Sequence, residues 1–124
     1  MNAIILAAGM SSRLRPVTSD KPKCMLKLFN ETLLERQIKI FRNHNINDIT
    51  IVTGYRSEVI DISNVNYVKN ENYATTNINE SLFCALEPSN GPVLVTYSDI
   101  VFEQKIIQQM LEITDGIRLA VDLD

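Results

Sequence analysis

The predicted fold class is α/β, a mostly parallel sheet with helices on both faces, and three observations carry it. Apolar runs too short for helices recur at residues 3–8, 49–53 and 93–97, the pattern of central parallel strands buried on both faces. Amphipathic segments of helical period separate them. The 124 residues, 45% of them hydrophobic, suffice for one domain with its own core.

Taken in order, AIILAA (residues 3–8) is the first strand, and residues 9–23 form a long polar loop. In ETLLERQIKIFRNHN (residues 31–45), Leu34, Ile38 and Phe41 recur at i, i+4 and i+7, which predicts a helix. ITIVT (49–53) is a second strand and VNYVK (65–69) a shorter one. NESLFCALE (79–87) sets Leu82, Ala85 and Leu86 on one stripe, a second helix in which Cys84 is expected in the core. VLVTY (93–97) is the next strand, EQKIIQQMLEI (103–113) a helix with Ile106, Met110 and Ile113 inward, and IRLAVD (117–122) a last strand. The β-α-β-β-α-β-α-β alternation implies parallel strands joined by right-handed crossovers. With no helix behind the last strand, residues 1–124 are expected to be the front part of a larger domain.

Twelve basic against fifteen acidic residues give a net charge of −3, so no global field draws in nucleic acid or an anionic membrane, and any anion must be held locally. No apolar run approaches the ~18 residues of a membrane span, and MNAIILAAGMSS lacks a basic leader. Cys24 and Cys84 have no CxxC spacing and read as reduced thiols, so a cytoplasmic location is expected. His44, the sole histidine, falls at a helix end, where a surface role facing the dipole is expected.

Ligands of open α/β sheets sit at the carboxyl ends of the strands, and the loop after the first strand is the usual phosphate site. Here Gly9 permits close backbone approach, Ser11 and Ser12 leave amides free for an anion nest, and Arg13 and Lys23 add positive charge. Pro16 and Pro22 restrict the backbone between those cations. Neither GxxxxGK[ST] nor GxGxxG is present, which argues against a P-loop kinase or a dehydrogenase.

The ordered string LAAGMSSRLRPVTSDKPK resembles the AAGxGxRLxPxTxxxPK signature of nucleotidyltransferases that join a nucleoside triphosphate to a sugar phosphate or alcohol phosphate. Ala7, Ala8, Gly9, Arg13, Leu14, Pro16, Thr18, Pro22 and Lys23 match, and Ser11 replaces a glycine. The resemblance implies a Rossmann-like fold, the N-terminal part of a nucleotide-diphospho-sugar transferase. It implies that Gly9, Met10, Ser11, Ser12 and Arg13 cradle the triphosphate, that Arg13 and Lys23 act in catalysis, and that Leu6, Ala7 and Ala8 adjoin the base and ribose.

Asp99 lies just past the strand VLVTY, beside that loop, where a hard oxygen ligand suits Mg2+ shared with phosphates. A helix cap is the competing role, although Asp99 stands some four residues early for it. By resemblance Asp99 is the metal ligand, with Ser98 at a ribose-contacting glycine position. The stretch NENYATTNINESLFCAL (70–86) is similar to choline-phosphate and 2-aminoethylphosphonate cytidylyltransferases and to the transferase domains attached to phosphoenolpyruvate mutases. Asn70, Tyr73, Thr76, Asn77, Ser81 and Leu82 match; Tyr73, Asn77 and Ser81 are candidate nucleotide contacts, although Asn77 also suits an N-cap with Glu80 completing a capping box.

The resemblance thus implies transfer of a nucleotidyl group, cytidylyl by expectation, from CTP to a small phosphate or phosphonate such as phosphocholine or 2-aminoethylphosphonate, with Mg2+ as cofactor. UTP- or dTTP-dependent transfer to a sugar 1-phosphate, and a non-catalytic nucleotide-binding fragment, are the alternatives. The expected partners are the nucleotide and the acceptor, not nucleic acid or membrane, and a homodimer is left open.

Overall fold

The structure is a computed structural model that describes residues 1–87, 89–112 and 114–121. A four-stranded sheet runs in the order β5-β4-β1-β6, with β1 at Asn2–Ala7, β4 at Asp48–Thr53, β5 at Asn66–Lys69 and β6 at Val93–Tyr97. All three pairings are parallel, and Ile5 in the centre faces Ile51 on one side and Thr96 on the other. A two-stranded antiparallel ribbon, β2 (Lys27–Leu28) with β3 (Glu31–Thr32), projects beside it.

The alternation of β1 sorts its side chains into two layers. Ala3, Ile5 and Ala7 pack with Leu34, Ile38 and Phe41 of α1 (Leu33–Asn43) and Ile107 of α3 (Gln104–Leu111). Ile4, Leu6 and Ala8 pack with Val52 and with Ala85 of α2 (Ile78–Leu86), and Leu82 and Leu86 close the edge. Helices therefore cover both faces, as the sequence predicts.

The helix ends follow from local chemistry. Thr32 caps α1 by accepting from the Glu35 amide at 3.1 Å, and the Glu35 carboxylate accepts from the Thr32 amide at 2.8 Å and from its hydroxyl at 2.9 Å. Those bonds hold the Glu35 carboxyl below the usual range. At the other end, His44 Nδ1 lies 2.9 Å from the Ile40 carbonyl, the helix-end role expected of it.

Three expectations are corrected. The helix expected from residue 31 starts at Leu33, because Glu31 and Thr32 pair with Leu28 and Lys27 in the ribbon. Cys84 is exposed, since Ser81 and Ala85, not Cys84, fall on the buried side of α2. Residues 117–121 form no strand, and Ile117, Leu119 and Val121 are 96%, 81% and 68% exposed. A strand exists by hydrogen bonding to a neighbour, and none of the described strands pairs with this segment. Ile113 and Asp122 lie outside the described residues.

Candidate active site

In the order β5-β4-β1-β6 the connection reverses direction between β1 and β6, which creates a crevice beyond their carboxyl ends. A cleft of ≈ 540 Å³ opens there, lined by residues 9–14 after β1, by Lys23, Leu26 and Leu33, and by Asp99 after β6.

The loop after β1 is closed by its own side chains. Ser11 adopts φ 55°, a left-handed conformation in which a glycine would be relaxed. The serine compensates through hydrogen bonds. Its hydroxyl accepts from the Lys23 amide at 3.0 Å and its carbonyl accepts from the buried Thr18 hydroxyl at 2.6 Å, so both ends of the loop meet at one residue. Residues 12–14 form a 3-10 turn on which Arg13 is exposed at the cleft. Farther along, the buried Tyr55 donates its hydroxyl to the carbonyls of Thr18 and Ser19 at 2.9 and 3.0 Å and fixes the loop's middle.

Across the cleft, Lys23 Nζ meets Asp99 Oδ2 at 2.5 Å, joining positions 76 residues apart. Their side chains are 26% and 37% exposed, so solvent and salt reach the pair. Asp99 is not a helix cap: α3 begins after Glu103, whose side chain makes no cap bond either. No group of three or more carboxylates, imidazoles or thiols gathers among the described residues. The arrangement still fits Mg2+, which is commonly held by one or two carboxylates with phosphate oxygens and water completing its shell. Asp99 is the residue on this cleft that would hold it.

The structure thus brings Gly9, Met10, Ser11, Ser12, Arg13, Lys23 and Asp99 to one cleft. Leu6, Ala7 and Ala8 are buried, with Leu6 and Ala8 packed toward α2. Ser98 is buried at the end of β6, its amide donating to the Leu6 carbonyl at 3.1 Å. Ser81 is buried too, and its hydroxyl accepts from Asn70, whose amide also reaches the Thr76 hydroxyl at 2.9 Å. Asn77 caps α2 by accepting from the Asn79 and Glu80 amides at 3.0 and 3.3 Å. Four of the six matched residues of the 70–86 motif, Asn70, Thr76, Asn77 and Ser81, therefore form a hydrogen-bonded scaffold.

Tyr73 packs over Gly54, whose backbone is not left-handed. A Cβ there would stand 2.6 Å from the Tyr73 Cβ and 2.7 Å from the Ala8 carbonyl oxygen. Close approach, not φ, demands glycine. Leu26 and Leu33 line the cleft without a signal in the sequence, whereas Leu14 is a matched residue of the loop signature.

Cys24, buried beside Lys23, has its thiol pushed up to about 12, mainly by burial, and stands apart from any nucleophilic role. No helix among the described residues is long and apolar enough to cross a membrane.

A parallel sheet with Arg13, Lys23 and Asp99 gathered beyond its strands at the switch point has the architecture of a Rossmann-like α/β domain. Comparison with known proteins makes the class specific. Residues 3–121 match the MobA-like NTP transferase domain, and the chain belongs to that family. It is 33% identical to a CTP:phosphoglutamine cytidylyltransferase of Campylobacter jejuni over 98% of this chain and 53% of that protein. It is 36% identical to a choline-phosphate cytidylyltransferase of Streptococcus pneumoniae over 83% of this chain and 47% of that protein. The solved structure of the CTP:phosphocholine cytidylyltransferase from Streptococcus pneumoniae superposes with a TM-score of 0.74 at 37% identity, over 79% of this chain and 44% of that one. The chain spans about half the length of these relatives.

Proposed function

We propose that this chain is the nucleotide-binding part of a cytidylyltransferase that uses CTP and a small phosphate or phosphonate acceptor and releases pyrophosphate. The observation that supports it most is the meeting of Lys23 and Asp99 across a cleft walled by the residue 9–14 loop. The similarity to two proteins named for cytidylyl transfer favours CTP. Their names carry different acceptors, phosphoglutamine and choline phosphate, so what they share is a phosphorylated small molecule.

In this reading the loop amides and Arg13 bind the β- and γ-phosphates. An acceptor phosphate or phosphonate oxygen attacks the α-phosphorus, a new P–O bond forms, and the bond from that phosphorus to the α–β bridging oxygen breaks, its electron pair leaving with pyrophosphate. No covalent enzyme intermediate is needed. Negative charge grows on the α-phosphoryl oxygens and on the leaving group, and Lys23 is placed to stabilise it electrostatically. Leu14, Leu26 and Leu33 add apolar surface to the cleft wall. Mg2+, held by Asp99, would neutralise phosphate charge.

Calorimetric titration with Mg2+ and each of CTP, UTP and ATP tests the reading. CTP is expected to bind more tightly than the other two. Preferential binding of UTP would move the proposal to uridylyl transfer, and absence of binding by all three would remove it.

A further inference from the structure

We infer that Gln37 is a positioning residue for Asp99, an inference that rests on the metal-assisted reading of the cleft above. Gln37 lies on the inner face of α1 and is 2% exposed. Its Nε2 donates to the Tyr97 carbonyl at 2.9 Å and to the Ile100 carbonyl at 2.8 Å. Those two carbonyls bracket Ser98 and Asp99. On the other side of the same turn the Ser98 amide is bonded to the Leu6 carbonyl at 3.1 Å. The residues that present the carboxylate are thus held from the sheet and from the helix at once.

Two carbonyls this close are compatible only with a donor, which fixes the orientation of the amide and turns Oε1 the other way. There Oε1 is buried and has no hydrogen-bond partner among the described residues. A buried acceptor left unpaired is unfavourable, so packing alone gives no reason for an amide on this apolar stripe. What the amide supplies and an apolar side chain of similar size does not is a pair of donors to the Asp99 turn. Support of a metal-binding carboxylate by such an outer group is a general feature of metal sites, and its loss typically lowers metal affinity ~10- to 100-fold.

The test is a double-mutant cycle on CTP binding, measured calorimetrically with saturating Mg2+ and again with EDTA. The ratio of the two dissociation constants is the metal enhancement. Gln37→Met is expected to lower that enhancement by ~10-fold or more while leaving the EDTA value unchanged. Asp99→Asn should lower the enhancement at least as far, and in Gln37→Met/Asp99→Asn the enhancement should match that of Asp99→Asn alone. A merely structural role would instead weaken binding in EDTA and add its full effect to Asp99→Asn; either result overturns the inference.

A second measurement needs no variant. In NMR spectra of the unmutated protein with CTP, the Gln37 side-chain NH2 resonances are expected to shift when Mg2+ is added. Resonances that stay in place overturn the inference even if Gln37→Met does not fold. An enhancement that survives Asp99→Asn removes Asp99 as the metal ligand and takes the inference with it, whereas loss in Asp99→Asn with retention in Gln37→Met defeats only the positioning role.

Discussion

Replacing Gly54 by alanine inserts one carbon where the end of β1, the end of β4 and the segment before α2 converge. That carbon would lie 2.6 Å from the Tyr73 Cβ and 2.7 Å from both the Tyr73 Cγ and the Ala8 carbonyl oxygen, well inside the ~3.5–4.0 Å optimum for carbon contacts. A flexible side-chain tip would swing aside at little cost. Here the obstacles are a Cβ fixed to its own backbone and a main-chain oxygen, so relief requires backbone movement. Overpacking of this kind costs ~1–3 kcal/mol. For a chain of this length 1 kcal/mol corresponds to roughly 4 °C in Tm, which places the expected fall at about 4–12 °C. Thermal melts of the two proteins in EDTA without nucleotide provide the assay. Gly54→Ala/Tyr73→Ala should melt no higher than Gly54→Ala, because the clashing Cβ survives in alanine. A Gly54→Ala protein that melts with the parent would refute the close-approach account of this glycine.

Gly9→Ala provides the contrast: none of the described residues comes within 4 Å of its Cβ position and its φ is not left-handed, so Tm should hold while the added methyl at the cleft weakens CTP binding roughly ten-fold by calorimetry. Lys23→Ala should lower pyrophosphate release by at least ~100-fold with little change in Tm, because its bond to Asp99 is solvent-screened; parent-like turnover would contradict the role of Lys23. Alkylation with iodoacetamide at pH 8, read by mass spectrometry, should modify the exposed Cys84 and spare the buried Cys24. Because the Cys24 thiol is raised from 9.0 to about 12, the unfolded chain loses this proton first as pH climbs, so its stabilising contribution is whole below pH 9 and declines from there through about 12 in denaturant titrations.

Periodicity alone determined much of this protein. The runs at residues 3–8, 49–53 and 93–97 had to be strands because a continuous apolar stretch of that length, bounded by polar turns, has nowhere to go but the middle of a sheet. The spacing of Leu34, Ile38 and Phe41 identified α1, and the ordered loop from Gly9 to Lys23 marked one wall of the cleft. Local patterns are legible because their physics is local: a helix face or a loop's restraint is decided within a few residues.

Tertiary structure decided the rest. Lys23 and Asp99, 76 residues apart, meet only because β1 and β6 are neighbours in the sheet. Gln37 stands three residues after Leu34 and four before Phe41, and nothing in that spacing points to the two carbonyls it holds. Gly54 is required by the approach of Tyr73, nineteen residues further along the chain. The IRLAVD segment shows the same limit from the other side, for its alternation is that of a strand and yet no described strand pairs with it. Sequence specifies which residues can make a strand, a donor or a ligand, while the partner that satisfies them is chosen by packing between segments distant in the chain, where the pattern along the chain carries no information about distance.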